Sequence, residues 1–197
     1  MAALKVAKSE LRKSLKRAIM GLNEVDRHQQ SISLCQKLIA TSAYQSSKRV
    51  SVFISMNDEV DTTPIIHDVL KTNRLLYVPW YDPNNVTMKM LRVTSLDDYN
   101  SLPMTKWGVK QPVGDDDREE SHDLDLVVTP GLGFTMDGKR IGRGKGYYDN
   151  YLSKCRASGH TAITIGQEMT AVNKVFQPTG LTKLRLPKEL IFSCYDT

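Results

Sequence analysis

The apolar positions of this chain change period along its length, and the change sorts it into helices and strands. Over residues 8–20, Leu11, Leu15, Ala18 and Ile19 recur at helical spacing, which predicts an amphipathic helix with basic residues opposite or flanking that face. Asn23 is placed to cap a second helix, with Glu24 and Asp26 in a first turn where negative charge suits the dipole. Val25, Ile32, Cys35, Leu38 and Ile39 mark its apolar face, and the pattern fades at "TSAYQSS". The run "RVSVFISM", 49–56, is β-branched and apolar and predicts the first buried strand. Thr62 or Thr63 then caps a helix with Pro64 in first position and Ile65, Ile66, Val69 and Leu70 on its core side. "LLYVPW", 75–80, predicts a second strand, "PNN" a turn, and "VTMKMLRV", 86–93, a third.

"LDLVVTP", 124–130, is almost continuously apolar, the pattern of a parallel strand covered on both faces. A glycine-rich segment, 131–146, follows it, and a helix runs from near Tyr147 to about Arg156. "TAITIG", 161–166, reads as another strand, and "ELIFSC", 189–194, as a last one. Two helices followed by alternating strands and helices predict an α/β fold, a mainly parallel sheet flanked by helices. At 197 residues the chain suits a single domain spanning 1–197.

Composition narrows the class. Hydrophobic content of 40% and charged content of 25% are ordinary for a globular protein, and no apolar run would span a bilayer. The first 20 residues lack the apolar stretch and cleavage site of a secretory signal. Cys35, Cys155 and Cys194 are too few and too scattered for a disulfide framework or zinc site, which points to a reducing cytoplasm. The sequon at Asn85 is then a chance match. His28, His67, His122 and His160 lack metal-ligand spacing. Net charge is +5, but basic segments at 1–20 and 139–145 are separated by an acidic run at 115–125. That alternation favours local anion sites over a nucleic-acid stripe. The acidic run itself reads as an exposed, solvated loop.

The candidate chemistry lies in "GRGKGYYD", 142–149, which follows a strand and precedes a helix, where open parallel sheets bind ligands. "GFTMDGKR", 133–140, has Walker glycine and lysine spacing but ends in Arg140, without the hydroxyl that binds Mg²⁺. "GRGKGY" places its third glycine one position early for a dinucleotide fingerprint. Both motifs are rejected, yet the physics remains. Gly142, Gly144 and Gly146 let backbone N–H groups approach an anion, and the following helix aims its positive end there. Arg143 offers a planar fork to phosphate oxygens and Lys145 a mobile charge. Asp149 could bridge Mg²⁺ to phosphates, and Tyr147 and Tyr148 could stack on a flat ring. The plainer alternative is a glycine-rich surface turn with solvated charges.

"PGLGFTMDGKRIGRGKGYYDNYL", 130–152, closely resembles the signature of the 5-formyltetrahydrofolate cyclo-ligase family. "AKSELRKSLKRAI", "SKRVSVFISMNDEVDT", "YVPWY" and "TKWGVKQP" also resemble family segments, so the likeness covers 7 to about 166. It implies an enzyme that uses ATP and Mg²⁺ to convert 5-formyltetrahydrofolate to 5,10-methenyltetrahydrofolate, ADP and phosphate, through phosphorylation of the formyl oxygen. Carried over by position, ATP would meet Lys8, Arg12, Arg140, Ile141, Gly142, Arg143, Gly144, Lys145, Gly146, Tyr147 and Tyr148. Arg143 and Lys145 would steady the transferring phosphoryl group, and Asp149 would hold the metal. Folate would meet Ile54, Met56, Glu59, Tyr81 and Trp107, with Tyr147 and Tyr148 near the reacting centre. Without the family, Ile54 and Met56 read as strand core, Trp107 as a loop anchor, and Lys8 and Arg12 as a solvated helix face.

The implied partners are ATP and a reduced folate, free or polyglutamylated, with neither nucleic acid nor membrane, and a monomer is expected. After about residue 166 the chain departs from the family pattern. An aspartate that helps bind metal is expected a few residues after Pro178, where Lys183 stands. A charged lysine cannot ligate Mg²⁺. Asp149, phosphates and water could suffice, Glu168 or Glu189 could substitute, or activity is reduced. The alternative function is therefore a folate- or nucleotide-binding protein with reduced or lost turnover. An RNA-binding module on the basic N-terminus ranks lowest, because no aromatics interleave with the charge.

Overall fold

The computed structural model describes residues 2–113, 117–135, 139–159, 163–167 and 191–192. Helix α1 (Ala2–Met20) starts earlier than its apolar pattern required. In α2 (Glu24–Ile39) the Asn23 side chain accepts the Asp26 N–H at 2.8 Å, as the cap reading expects. "TSAYQSS", expected only as a fading helix, forms a separate short helix, α3 (Ser42–Ser46), capped by Thr41. Strand β1 (Arg49–Val52) leads to α4 (Thr63–Lys71), then β2 (Leu75–Tyr81) and β3 (Met88–Val93). Helix α5 (Leu96–Ser101), which the sequence reading missed, has Ser95 as its cap and Asp97 and Asp98 in its first turn. Then come β4 (Leu126–Pro130), β5 (Gly133–Phe134), β6 (Arg140–Ile141), α6 (Tyr147–Ala157), β7 (Ile163–Gln167) and β8 (Ile191–Phe192).

The main sheet has six strands in the order β3-β2-β1-β4-β7-β8. All its pairings are parallel except β2 with β3, which the turn at 82–87 makes antiparallel. The α/β class and the mainly parallel sheet expected from the pattern are therefore observed. From β1 the chain moves outward to β2 and β3; from β4 it moves the other way to β7 and β8. The β1–β4 junction is thus the topological switch point, where such sheets open a crevice beyond their carboxyl ends.

Two local features end β1 early at this junction. β1 is shorter than the expected 49–56: its register with β4 ends at Val52↔Val128, while β4 continues beside β7 to Pro130↔Gln167. The Thr62 hydroxyl donates to the Phe53 carbonyl at 2.6 Å, taking an acceptor that a longer ladder would have used. Thr62 does sit at the α4 cap position, but its side chain makes no cap bond; Asp61 Oδ1 accepts the Thr63 N–H instead.

The large core joins strand residues such as Val50, Val52, Leu76, Val78, Val127 and Val128 to Leu38, Ile65, Ile66, Val69, Tyr148 and Leu152 from the helices. A smaller cluster of Leu15, Ile19, Leu34, Val60, Leu132 and Ile141 fastens α1 to the glycine-rich segment. Burying a side chain of this size stabilises by about 1.5–3 kcal/mol, so α1 is a fixed wall of the crevice.

Candidate functional site

The glycine-rich segment is not a featureless loop. Its first part folds back as the β5–β6 hairpin, with Gly133 opposite Ile141 and Phe134 opposite Arg140. Gly144 (φ +105°) and Gly146 (φ +80°) occupy left-handed backbone that side-chain-bearing residues rarely adopt. A Cβ on Gly144 would lie 3.3 Å from the Arg12 guanidinium carbon, so this glycine admits a side chain of the protein itself. Arg12 uses that space: its Nε donates to the Gly142 carbonyl at 2.9 Å. Gly146 is the N-cap of α6 and brings no side chain to the N–H groups of the first turn. Those donors, and the positive helix end, are left for an external anion.

The arginines of the segment serve different ends. Arg140, expected on the ATP side, is only 6% exposed and turns inward. Its Nη1 donates to the Pro130 carbonyl and its Nη2 to Asp149 Oδ1, both at 2.8 Å, while its guanidinium lies over the Tyr148 ring. It ties the end of β4 to the start of α6 and sets the Asp149 carboxylate. Arg143 instead crosses the crevice. Its Nε donates to Glu59 Oε1 at 3.0 Å and its Nη2 to Asp58 Oδ1 at 2.5 Å. Burial works against its charge, but the two carboxylates outweigh it and hold the guanidinium more firmly protonated than usual. Lys8, half-buried, and Lys145, exposed, form no ion pair among the described residues.

The loop after β1 is built to stay put. The Ser55 hydroxyl donates to the Val60 carbonyl and accepts the Thr62 N–H, and the Glu59 N–H returns to the Met56 carbonyl. Glu59 is 10% exposed, and its second oxygen accepts the Met56 N–H at 3.0 Å. Ile54 packs against the large core and Met56 is half-buried, consistent with a wall beside this carboxylate.

Tyr81, from the end of β2, and Tyr147 set their rings 5.0 Å apart at 59°, and the Tyr147 hydroxyl donates to the Asp82 carbonyl. Tyr148 is buried, with its hydroxyl beside that of Tyr81. Burial first, then the neighbouring Tyr81 hydroxyl, pushes Tyr148 well above the usual phenol range. Arg140 Nε is buried without a hydrogen-bond partner. Ile141 contributes its side chain to the small core cluster, so only its backbone faces the segment's turn. Trp107 lies apart, 56% exposed on a turn under Lys106. Its segment joins the site through Gln111, whose amide reaches the Tyr81 carbonyl at 3.4 Å.

The uncapped N–H groups at the start of α6, Lys145 and the partly used Arg143 guanidinium lie along one turn, a set that suits phosphate, and Lys8 stands one helical turn before Arg12 on α1. The site also suits Mg²⁺ at one carboxylate. Asp149 is 37% exposed and has one oxygen engaged by Arg140. Mg²⁺ needs only one or two carboxylates beside phosphates and water. Among the described residues there is no group of three or more His, Cys, Asp or Glu to cage a metal. Lys183, Glu168 and Glu189, weighed as alternatives near the metal, lie outside the described residues, as does Cys194.

Comparison with known proteins agrees with this geometry. The model of the 5-formyltetrahydrofolate cyclo-ligase family matches residues 4–177. A mouse 5-formyltetrahydrofolate cyclo-ligase is 47% identical over 160 residues, 79% of each chain. A Caenorhabditis elegans protein named as a probable 5-formyltetrahydrofolate cyclo-ligase is 34% identical over 156 residues, 78% of this chain and 76% of its own. The solved 5,10-methenyltetrahydrofolate synthetase of Aquifex aeolicus superposes with a TM-score of 0.74 at 27% identity, covering 94% of this chain and 89% of that one. The chain belongs to the 5-formyltetrahydrofolate cyclo-ligase family and is an enzyme of the cyclo-ligase class.

Proposed function

We propose that this family member closes 5-formyltetrahydrofolate to 5,10-methenyltetrahydrofolate at the expense of ATP, releasing ADP and phosphate. One observation carries the reading. Arg143 reaches from the glycine turn to Asp58 and Glu59, so the phosphate-binding and folate-facing elements lie one side chain apart. In the proposed reaction the formyl oxygen attacks the γ-phosphorus, the bond to ADP breaks, and N10 then attacks the formyl carbon. N10 loses its proton and the formyl oxygen leaves with phosphate.

Phosphoryl transfer asks for positioning and charge stabilisation more than covalent chemistry. The free N–H groups of Arg143 and the Lys145 ammonium face negative charge as it shifts on the transferring group. Lys8 and the α6 first turn hold the remaining phosphates, with Arg12 and Arg140 keeping the turn in shape. Mg²⁺, when bound, would neutralise phosphate charge, held by Asp149 together with phosphate oxygens and water. Glu59 retains lone pairs for pterin N–H donors, since each carboxylate oxygen accepts more than one bond. Ile54, Met56, Tyr81 and Tyr147 wall the ring, and Trp107 stands at the rim.

The proposed enzyme works as a monomer on one domain, 1–197, in the cytoplasm; no described helix is long and apolar enough to cross a membrane. The test is direct: supply ATP, Mg²⁺ and 5-formyltetrahydrofolate and follow the methenyl product by its near-ultraviolet absorbance. Product that requires both ATP and Mg²⁺ is expected. Tight folate or ATP binding with no product at high enzyme concentration would overturn the reading in favour of a binding protein.

A further inference from the structure

We infer that Asp58 is a positioning residue, which holds Arg143 across the crevice so that its remaining N–H groups face the phosphate side. The inference rests on the proposed role of the glycine turn in ATP binding and adds a residue outside the sites assigned so far.

Arg143 stands between Gly142 and Gly144, and Gly146 follows two residues later. Glycine-rich backbone offers many conformations, so the turn cannot by itself aim a long side chain. The aim comes from the far side of the crevice. Asp58 Oδ1 accepts from Nη2 at 2.5 Å, and Glu59 Oε1 from Nε at 3.0 Å. A guanidinium carries five N–H donors, so this grip leaves others, including both on Nη1, for a phosphate. A planar fork held along one edge presents the opposite edge in a set direction. Arg12 secures the turn from the other wall through the Gly142 carbonyl.

The two carboxylates divide the work. Glu59 is already held by the Met56 N–H and is proposed to accept from the folate. Asp58 has Arg143 as its ion-pair partner, so its carboxylate can serve the arginine alone. Both side chains of the pair are mostly buried, 27% and 19% exposed, which spares the pair full solvent screening. The geometry separates Asp58 from a merely structural acid: its loss should be felt where Arg143 acts, not throughout the fold.

Limited trypsin digestion of the ligand-free protein reads the anchor without any assay of activity. Cleavage after Arg143 and Lys145 should quicken about fivefold in Asp58→Ala, and less in Asp58→Asn, which keeps an acceptor oxygen. Binding reads the role: calorimetry should show ATP affinity falling about fivefold in Asp58→Ala, with 5-formyltetrahydrofolate affinity within about twofold of wild type. Adding Asp58→Ala to Arg143→Ala should cost nothing further, because the residue it serves is gone. Unchanged cleavage in both Asp58 variants would overturn the anchor, whatever the activity of the protein. Quickened cleavage with additive losses in the double variant, or with folate affinity falling as much as ATP affinity, would overturn the positioning role. If the wild-type protein binds no ATP, the proposed function fails while the digestion still decides the anchor.

Discussion

The β1–β4 pair is bridged by charge at both ends, and the two bridges differ in what they leave over. At the amino end, Asp125 Oδ2 accepts the N–H groups of Lys48 and Arg49, both at 2.8 Å, and the Asp125 N–H donates to the Arg49 carbonyl. Arg49 also pairs with Asp123. Donors and acceptors there close on one another and seal a seam. At the carboxyl end, Arg143 spans the same pair of strands to Asp58 and Glu59, but polar capacity remains. Guanidinium N–H groups, the α6 first turn and Lys145 are unspent, and Arg140 Nε is buried without a partner. Buried polar groups are normally satisfied, so the orphaned Arg140 Nε beside the glycine turn fits an end left open for a ligand. Two further such atoms among the described residues, Nε and Nη1 of Arg92, belong to a guanidinium that lies over the Tyr77 ring, which offsets part of its charge.

The sharpest way to break this contrast is at the carboxyl end. Arg143→Ala and Lys145→Ala should each lower turnover about 100-fold, the scale for losing one charge-stabilising donor. Folate binding, measured by calorimetry, should change far less than turnover; undiminished turnover in both would remove their assigned roles. A smaller effect is expected one helical turn on. Asp149→Asn should raise the Mg²⁺ concentration for half-maximal activity about tenfold, and an unaltered titration would argue against a metal role. The smallest effect belongs to the seam. Asp125→Ala should lower unfolding free energy by about 1–2 kcal/mol in denaturant titration while kcat/KM stays within about twofold. If Asp125→Ala cut activity as deeply as the crevice variants, the two ends would not differ as described.

Particular residues show where reading the sequence stopped. The helical face of Leu11, Leu15 and Ile19, the Asn23 cap and the run at 124–130 were legible because periodicity and capping are local. The Ser95 cap with Asp97 and Asp98 also signalled α5, but the short helix has too few turns to show a period. The β5–β6 hairpin left little trace, since its strands are two residues each. Arg140 looked like its basic neighbours until its partners were known: a buried strut and a phosphate contact are the same letter. Asp58 stayed silent because its meaning lies in a residue 85 positions away.

By itself, the sequence determined the alternation of strand and helix, the place of the glycine turn after a buried strand, and a family signature dense enough to name. Those follow from backbone preference and burial, which act over a few residues. Only the tertiary structure decided which cations remain free and which are consumed inside the protein. The sheet order brings residues 58 and 59 opposite residue 143 at the switch point, and a charge can be assigned only once its partners are in reach.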